Sequence, residues 1–436
     1  MSALELQRET TEVLQRLVCF NTVNPPGNER EALEYLSAYL ERAGFETELL
    51  GATPERPNLI ARLDGAAEGP TLCYLGHVDT VLAKASEWEH DPWSGDLADG
   101  FLWGRGAIDM KSQVAAEAAA GAALAGSGWR PARGSLLLVF VADEETGGEL
   151  GAQWLTTHHA DKVRCDMLLN EGGGEVFEYR GRRHYGVCSS EKGIFRFTIA
   201  TSGVAGHASI PGMGDNALLK LGAIIQALAK RQPMFELSEE PLALLLGLDE
   251  DPADPMGALA RIRAKSPGLA TVIEPMLGVT MAPTMVRASE KINVIPSRAE
   301  LKVDCRVPAG FGEAAVRAGI DEVLGSNGFE IEFTEKVTGN RSPVSSPLTD
   351  AISRWVQAND PGACVVPWIL PGFSDSRWFR DAFPDCLAYG FFPQKHQTLL
   401  ECMPLIHSAN ERIDIRDLGF AASCYADLAK ELLGAE

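Results

Sequence analysis

Five short clusters of acidic residues and histidine carry the side chains that could do chemistry. They are Gly76-His77-Val78-Asp79-Thr80, Gly106-Ala107-Ile108-Asp109-Met110-Lys111, Asp143-Glu144-Glu145-Thr146-Gly147, Asn170-Glu171-Gly172-Gly173 and Ile406-His407-Ser408-Ala409-Asn410-Glu411. Taken singly, each has an ordinary explanation, because an acidic residue after a strand is often a helix N-cap. Together they supply two histidines and several carboxylates, the mixed nitrogen and oxygen donors that suit Zn²⁺ or a similar divalent ion.

A pair of divalent ions about 3.5–4 Å apart needs one bridging carboxylate and further ligands for each ion. The predicted ligands are His77, Asp109, Glu145, Glu171 and His407. Asp79 lies two residues beyond His77 and is predicted to orient its imidazole. Glu144 adjoins a predicted ligand but points elsewhere, which favours it as a general base. The clusters therefore predict hydrolytic chemistry at a metal centre.

Buried strands must place these clusters side by side. Short apolar runs at 58–62, 71–75, 135–142 and 167–170 alternate with helical patterns, and the alanine-rich stretch 113–125 is a strong helix former. Strands alternating with helices predict an α/β domain whose mixed sheet has helices on both faces. The clusters follow the carboxyl ends of these strands, where open α/β sheets place their sites.

A different pattern begins near residue 187. Half-exposed strands at 194–201, 299–307 and 330–335 accompany helices at 216–230 and 311–324, which predicts an α+β sandwich with one solvated sheet face. Residues 236–267 are rich in Asp, Glu and Pro and are expected to form an excursion of helices and loops at the surface. The chain is therefore predicted to have a discontinuous domain, 1–186 and 340–436, with a second domain inserted at 187–339.

Charge and cysteine content limit the partners and the compartment. The 436 residues include 60 acidic and 39 basic side chains, for a net charge of −21, so neither nucleic acid nor an anionic membrane is an expected partner. The nine cysteines form no C-x-x-C pair, which predicts reduced, mostly buried thiols. No signal-peptide pattern or membrane-length apolar run is found in the sequence, and the predicted location is cytoplasmic.

The order and content of the clusters resemble the di-zinc amidohydrolases, the family of aminoacylase, acetylornithine deacetylase, succinyl-diaminopimelate desuccinylase, glutamate carboxypeptidase and related dipeptidases. The motifs G-H-x-D-T, G-R-G-x-x-D-M-K and D-E-E-x-G-G carry the resemblance, which runs from Thr22 to Glu411. It implies one metal on His77 and Glu171 and another on Glu145 and His407. It also implies that Asp109 is the bridge, Glu144 is the base and the inserted domain is a lid that forms a homodimer.

The inserted domain contains three further motifs of this family. Gly203-Val204-Ala205-Gly206-His207-Ala208-Ser209 resembles the lid motif whose histidine reaches a partner's active site and stabilises the oxyanion. Lys291-Ile292-Asn293-Val294-Ile295-Pro296 resembles the segment whose asparagine contacts substrate, and Asp304-Cys305-Arg306 resembles the one whose arginine contacts a substrate carboxylate. Without the resemblance, His207, Asn293 and Arg306 read as a surface histidine, a turn residue and an ion-paired strand residue.

Two segments depart from the family pattern. In Pro371-Gly372-Phe373-Ser374-Asp375-Ser376-Arg377, Phe373 replaces a glycine of a loop that lies near the substrate in relatives. Gly372 and Ser374 of this loop are predicted to bind substrate, although the pocket shape does not carry over. Glu191-Lys192-Gly193 stands where desuccinylase-type relatives have an Arg-rich segment, which argues against diaminopimelate derivatives.

The predicted function is metal-dependent hydrolysis of an amide bond next to a free carboxylate, in an N-acyl amino acid or a short peptide. Two divalent ions are expected, zinc first, with cobalt or manganese as alternatives. A carboxypeptidase or dipeptidase differs from a deacylase only in pocket shape. A non-catalytic metal-binding relative would lack the base or a ligand, and neither is missing. A nucleotide-binding protein is disfavoured because the sequence has no G-x-x-x-x-G-K-[ST] motif.

Overall fold

The computed structural model describes residues 2–325 and 328–434. The helices are α1 Ala3–Val18, α2 Arg30–Ala43, α3 Lys111–Gly126, α4 Ala152–His158, α5 Ala160–Val163, α6 Ala217–Lys230, α7 Glu239–Gly247, α8 Pro255–Lys265, α9 Pro267–Ile273, α10 Glu313–Leu324, α11 Pro347–Asn359, α12 Ser376–Ala382, α13 Leu399–Cys402 and α14 Ile415–Leu433. Short 3₁₀ turns cover Ala85–Glu87, Glu144–Thr146, Pro211–Met213 and Glu274–Leu277.

The strands follow the predicted runs closely. They are β1 Glu46–Thr53, β2 Arg56–Asp64, β3 Thr71–His77, β4 Leu97–Ala98, β5 Phe101–Trp103, β6 Ser135–Val141, β7 Met167–Asn170, β8 Glu175–Tyr179, β9 Arg182–Glu191, β10 Gly193–Ile194, β11 Phe197–Ser202, β12 Gly206–His207, β13 Met234–Phe235, β14 Gly278–Arg287, β15 Val294–Ile295, β16 Arg298–Val307, β17 Glu330–Phe333, β18 Cys364–Leu370, β19 Leu387–Gly390, β20 Gln394–Thr398 and β21 Arg412–Asp414.

The larger sheet is mixed, as predicted. Its strand order is β1-β2-β6-β3-β7-β19-β9-β8-β20, with β18 beside β9. The strands β6, β3, β7 and β19 run parallel to one another, whereas the pairs β1–β2, β2–β6 and β19–β9 are antiparallel. The carboxyl ends of β3, β6 and β7 therefore meet at one edge, which brings the residues after these strands together.

Helices cover both faces of this sheet, because its central strands are apolar on both sides. In β6, Leu136 and Leu138 belong to the core under α1, α3 and α14, whereas Leu137 and Val139 belong to the core under α4 and α12. The alanines of α3 let that helix pack closely against α1 and α14 at the same time. This architecture confirms the predicted fold class.

The smaller sheet has the order β13-β14-β16-β11-β17, with β10 also paired to β16. Along β16 the side chains of Leu301, Val303 and Cys305 are buried under helices α6 and α10, and the residues between them reach solvent. This alternation is the signature of a sheet with one covered face. It confirms the second, α+β unit expected from the change of pattern.

The expectation that residues 236–267 form a surface excursion was wrong. Leu244, Leu259 and Ile262 of this segment are buried against Val366 and Trp368 of β18, so α7, α8 and α9 cover part of the larger sheet. The acidic residues and prolines occupy helix starts and loops, while the leucines face inward. In addition, β9 continues in the larger sheet as far as Glu191. The domain boundaries at 187 and 339 stay a prediction.

Two further findings concern the thiols and the helices. All nine cysteines are free, and most are buried, which agrees with the prediction of reduced thiols. Over residues 2–325 and 328–434, no helix combines the length and apolar character that a membrane crossing requires.

Candidate active site

One carboxylate lies between two histidines at the carboxyl edge of the larger sheet. Asp109 Oδ1 is 3.1 Å from His77 Nε2, and Asp109 Oδ2 is 3.2 Å from His407 Nε2. His77 ends β3, Asp109 lies two residues before the start of α3, and His407 lies in the loop before β21. The two oxygens of Asp109 thus face two different histidines, which is the arrangement that a bridging ligand requires.

Three glutamates complete the cluster, and they divide between its two sides. Glu145 Oε2 lies 3.3 Å from His407 Nε2, whereas Glu144 Oε2 and Glu171 Oε1 each lie 3.9 Å from His77 Nε2. Two overlapping groups have donor atoms within 4.8 Å of one another: His77, Asp109 and Glu145, and His77, Glu144 and Glu171. All the predicted ligands and the predicted base therefore converge.

Asp79 fixes two parts of the cluster at once. Its carboxylate accepts the backbone N–H groups of Glu144 and Glu145, each at 3.2 Å. His77 Nδ1 lies 3.1 Å from the Asp79 carbonyl oxygen and 3.5 Å from its carboxylate. Because Nδ1 is occupied on this side, Nε2 is the nitrogen aimed at the cluster. Asp79 thus orients His77 mainly through its backbone and the 144–145 turn through its side chain.

Asp143 shapes the turn that presents the two glutamates, a role that sequence reasoning missed. Its φ of 74° is left-handed, a region that Asp tolerates better than most residues. The carboxylate accepts hydrogen bonds from Asn24 Nδ2 at 3.1 Å, Thr146 Oγ1 at 2.7 Å and Leu150 N at 3.0 Å, and it pairs with Arg56 at 3.0 Å. The adjacent Asp-Glu-Glu run was the available signal.

Glu411 holds the loop that carries Asp109, and sequence reasoning missed this role as well. Its buried carboxylate accepts N–H groups from Gly106 at 3.1 Å, Ile108 at 2.7 Å and Asp109 at 3.0 Å. Arg105 donates to it at 2.6 Å. The available signal was the presence of Glu411 four residues after His407. This carboxylate fixes the loop that carries the central ligand.

The cluster concentrates acidic groups in a buried place. Burial, followed by repulsion between neighbouring carboxylates, raises the pKa of Glu144 and of Glu171 well above the ordinary value. Burial alone would also raise the pKa of Asp109, but hydrogen bonds from His407 and His77 reverse this and hold it below its usual range. Hydrogen bonds to Asp109 and Glu145 raise the pKa of His407 to about 10. Positive charge is therefore strongly favoured here.

The donor set fits a pair of divalent cations. It combines two imidazole nitrogens with carboxylate oxygens, and Glu145 Oε1 is buried with no hydrogen-bond partner among the described residues. A buried carboxylate oxygen without a partner is costly unless a cation or a ligand satisfies it. His77 and Glu171 on one side, Glu145 and His407 on the other, and Asp109 between them would hold such ions.

A cavity of about 410 Å³ opens beside the cluster. Asp109, Glu144, Glu145, Glu171 and His407 form one end of it. Gly372 and Phe373 also line this cavity, so the 371–377 loop reaches the candidate substrate space. The cavity is in the size range of small-molecule sites.

Ser374 lies differently from the expectation. Its side chain is buried, its hydroxyl donates to Glu191 Oε1 at 2.8 Å, and its backbone N–H donates to Glu191 Oε2 at 3.0 Å. It is absent from the lining of the cavity among the described residues. Ser374 therefore anchors the loop and does not face the substrate space in this conformation.

The predicted residues of the smaller unit do not join the cluster. His207 is exposed, and its Nδ1 lies 2.7 Å from Ser209 Oγ. Asn293 is exposed beside β15. Arg306 Nε donates to Asp304 Oδ1 at 2.7 Å, so the arginine is paired with a carboxylate on its own strand. Within the part of the chain that the structure describes, none of the three lines the cavity.

The chain is similar in sequence to known desuccinylases. The chain is 29% identical over 368 residues to the succinyl-diaminopimelate desuccinylase of Xanthobacter autotrophicus, which covers 81% of this chain and 84% of the relative. It is 26% identical over 417 residues to the enzyme of the same name from Cereibacter sphaeroides, which covers 92% and 94%.

Solved structures share the fold at lower sequence identity. An M20 family metallo-carboxypeptidase from Sulfolobus solfataricus aligns with a TM-score of 0.73 at 21% identity, over 98% of this chain and 99% of that one. Human carnosine dipeptidase 1 aligns with a TM-score of 0.68 at 15% identity, over 98% and 97%. The sequence model of peptidase family M20/M25/M40 matches residues 73–431, and the chain belongs to this family.

Proposed function

We propose that the protein is a di-metal hydrolase that cleaves an amide bond next to a free carboxylate, in an N-acyl amino acid or a short peptide. The observation that carries the proposal is the Asp109 carboxylate between His77 and His407, with Glu144 beside them. Family membership supports a hydrolase. The nature of the amide is proposed here from the residues of the site.

The proposed ligands are His77 and Glu171 for one ion, Glu145 and His407 for the other, and Asp109 for both. The mixed donors suit zinc first, and cobalt or manganese also. When bound, such ions polarise a carbonyl group and lower the pKa of water toward about 7. The crowding of carboxylates around His77 and His407 supports this assignment, because divalent cations would balance their charge.

Glu144 is the proposed general base. Its carboxylate takes a proton from the attacking water while the new C–O bond forms at the amide carbon. It then returns a proton to the leaving nitrogen as the C–N bond breaks, so the products are a carboxylic acid and a free amine. Burial and the proximity of Glu171, which raise the pKa of Glu144, favour its protonated state between the two transfers.

The substrate carboxylate and the oxyanion are assigned to the smaller unit. Arg306 Nη1 makes no hydrogen bond within the described chain, so it is free to meet a carboxylate while Asp304 holds Nε and Nη2. Asn293 is a further proposed substrate contact. His207 of the partner subunit would donate a hydrogen bond to the developing oxyanion.

The exposed surface of the smaller unit supports the proposal of a homodimer. Its surface carries large exposed apolar side chains, including Val204, Ile210, Met213, Leu219, Met285, Val286 and Ile292. We call this set the lid face. Leu219 and Ile292 line one surface concavity, and exposed apolar surface of this kind supports an interaction site. A two-fold interface through the lid face would bring His207 of one subunit toward the other subunit's cluster.

A carboxypeptidase or dipeptidase activity is the alternative within the same chemistry. The solved neighbours include a metallo-carboxypeptidase and a dipeptidase by name, which keeps this alternative open. A non-catalytic metal-binding protein is disfavoured, since the base and every proposed ligand converge in one cluster.

The deciding experiment screens metal-loaded protein against N-acyl amino acids and dipeptides. Chelation should abolish hydrolysis, and adding back Zn²⁺, Co²⁺ or Mn²⁺ should restore it, with up to two ions bound per chain. Protein shown to be metal-free yet fully active would remove the mechanism. Release of the acyl group from N-acyl amino acids with dipeptides left intact would identify a deacylase.

A further inference from the structure

The cavity beside the cluster has a wall that the proposed chemistry does not use. Away from the cluster it is lined by apolar side chains of three separate segments, namely Val272, Met276, Trp368, Leu370, Leu399 and Met403. Val272 lies in α9 and Met276 in the 3₁₀ turn that follows it, just beyond residues 236–267 and within the predicted inserted domain. The inserted segment therefore builds part of the candidate substrate pocket.

Apart from His407 in the cluster, every ionisable side chain that lines the cavity among the described residues is acidic. Among the described residues, no lysine or arginine contributes to its lining. Glu175 is its ionisable group away from the cluster, and burial raises the pKa of this carboxyl, which favours its neutral form. A carboxylate that entered the apolar end would be desolvated without a cation to pair with, and this is costly.

Two adjacent residues, Glu191 and Lys192, hold two segments that line the cavity. Glu191 accepts hydrogen bonds from Ser374 and from Arg380, the latter at 3.0 Å, and so fixes the loop of Gly372 and Phe373. Lys192 Nζ donates to the carbonyl oxygens of Pro275 and Gly278, each at 2.7 Å, and so fixes the segment of Met276. The cavity is thus a built feature and not a gap between mobile loops.

We infer that this cavity receives the acyl group of the substrate and selects an uncharged, apolar acyl chain over an anionic one. This inference rests on the proposed function. A free carboxylate needs a cation, so the amino-acid side of the substrate stays outside the cavity and the acyl side enters it. Succinyl groups, which appear in the names of the curated relatives, would place an unpaired carboxylate against Leu399 and Met403.

The test uses binding as well as turnover. Zinc-loaded Glu144→Gln protein is titrated by calorimetry with N-acetyl-, N-butanoyl- and N-hexanoyl-alanine. A matched pair follows, N-succinyl-alanine and N-(4-methylpentanoyl)-alanine, in which a carboxylate replaces an isopropyl group. We expect affinity to rise about fourfold per methylene, from roughly 0.8 kcal/mol for each buried CH₂. The succinyl compound should bind on the order of 10²-fold more weakly than its apolar partner.

Variants locate the effect in the cavity. Met276→Ala should weaken binding of the hexanoyl compound while leaving the acetyl compound unchanged, whereas Met256→Ala, on the exposed part of α8, should change neither. Met276→Lys should narrow the gap between the succinyl compound and its apolar partner. Glu175→Gln should leave the acyl preference in place. A large loss of affinity in Glu175→Gln, seen only for ligands that carry an ammonium group, would instead identify an ammonium site and overturn the inference.

The outcomes separate this inference from the proposed function. Hydrolysis with a flat response to acyl length, a preference for succinyl, or a steep response to the amino-acid side chain overturns the acyl cavity and leaves the hydrolase intact. Chain-length-dependent binding to Glu144→Gln without hydrolysis by wild-type protein supports the cavity and overturns the proposed function. If neither series binds, the inference about the cavity is wrong whatever the activity.

Discussion

The candidate metal cluster is largely buried, whereas the lid face is exposed to solvent. At the cluster, His77 is 1% exposed, and its neighbour Asp79 is fully buried and hydrogen-bonded to the 144–145 turn. On the smaller unit, His207 is exposed, and its neighbours Leu219 and Ile292 are 74% and 102% exposed. The cluster has a complete supporting layer from its own chain, whereas the lid face presents apolar groups to solvent.

This difference separates the groups that the chain satisfies by itself from those that the proposed partner subunit would cover. Buried polar groups must be satisfied within the fold, so Glu411, Asp79 and Asp143 converge on the cluster. Exposed apolar groups gain free energy only when another surface covers them.

The largest effect is expected from Asp109→Ala. Because this carboxylate faces both histidines, its loss should empty both metal positions and reduce kcat/KM by on the order of 10⁴-fold, the scale of several kcal/mol of lost Lewis-acid stabilisation. Metal analysis alongside kinetics checks it. Asp321→Ala removes an exposed carboxylate from α10 and serves as the control, with metal and activity unchanged. Loss of one ion only, with activity retained, would contradict the bridging role.

Glu144→Gln separates the base from the ligands. The variant should keep both metals and lose about 10²–10⁴-fold in kcat, the usual contribution of a general base. Elemental analysis and steady-state kinetics measure the two quantities independently. Glu322→Gln, on the exposed side of α10, is the matched control. Metal loss in parallel with activity would make Glu144 a ligand, which its 3.9 Å distance from His77 Nε2 also allows.

The cluster was predictable from sequence because each member follows a strand or loop with a strong local pattern. His77, Glu144 and Glu171 come directly after buried apolar runs, and parallel strands bring such positions to one edge. The supporting residues were harder, since Asn24 and Glu411 reach the site from distant parts of the chain and make hydrogen bonds that no local pattern encodes.

Composition misled where burial depends on tertiary contacts. The acidic and proline-rich sequence of 236–267 indicated a surface segment. However, Leu244 and Leu259 pack against Trp368, which lies more than a hundred residues further along the chain. The substrate residues were only partly predictable for the same reason. Gly372 reaches the cavity, but the hydroxyl of Ser374 turns toward Glu191, a partner visible only in three dimensions.

His207→Ala tests whether the lid reaches another subunit. We expect a loss of about 10²–10³ in kcat, the usual cost of removing one oxyanion donor. Mixing this variant with Glu144→Gln under subunit exchange should restore activity, because each mixed dimer contains one site with an intact Glu144 and the partner subunit's intact His207. Demonstrated exchange without recovery would mean that His207 acts in its own chain or only supports the lid.

Glu411→Gln should moderately weaken metal binding at the cluster. The amide keeps the shape of the carboxylate but weakens the charge-assisted hydrogen bonds to Arg105, Ile108 and Asp109. Mutation of a residue that supports a metal ligand typically lowers metal affinity or activity by about 10–100-fold. The readout is metal affinity by competition with a chelator, and rescue of kcat by excess metal would mark a positioning role. Unchanged metal affinity would contradict it.

The smallest effect on the chemistry itself is expected from Ile292→Glu on the lid face. Ile292, Leu219 and Val294 line the same surface concavity near His207, so a charge there should weaken association of two lid faces without touching the cluster. Losing the burial of one isoleucine side chain, roughly 1.5–3 kcal/mol, corresponds to at least tenfold in the dimer dissociation constant. Sedimentation should show more monomer, and specific activity should fall at low protein concentration and recover at high concentration. Leu97→Glu, an exposed apolar residue of β4 in the larger unit, is the control and should leave both measurements unchanged. A monomeric variant with full activity at every concentration would show that the catalytic cluster works without a partner, and the difference between the two regions would then need another explanation.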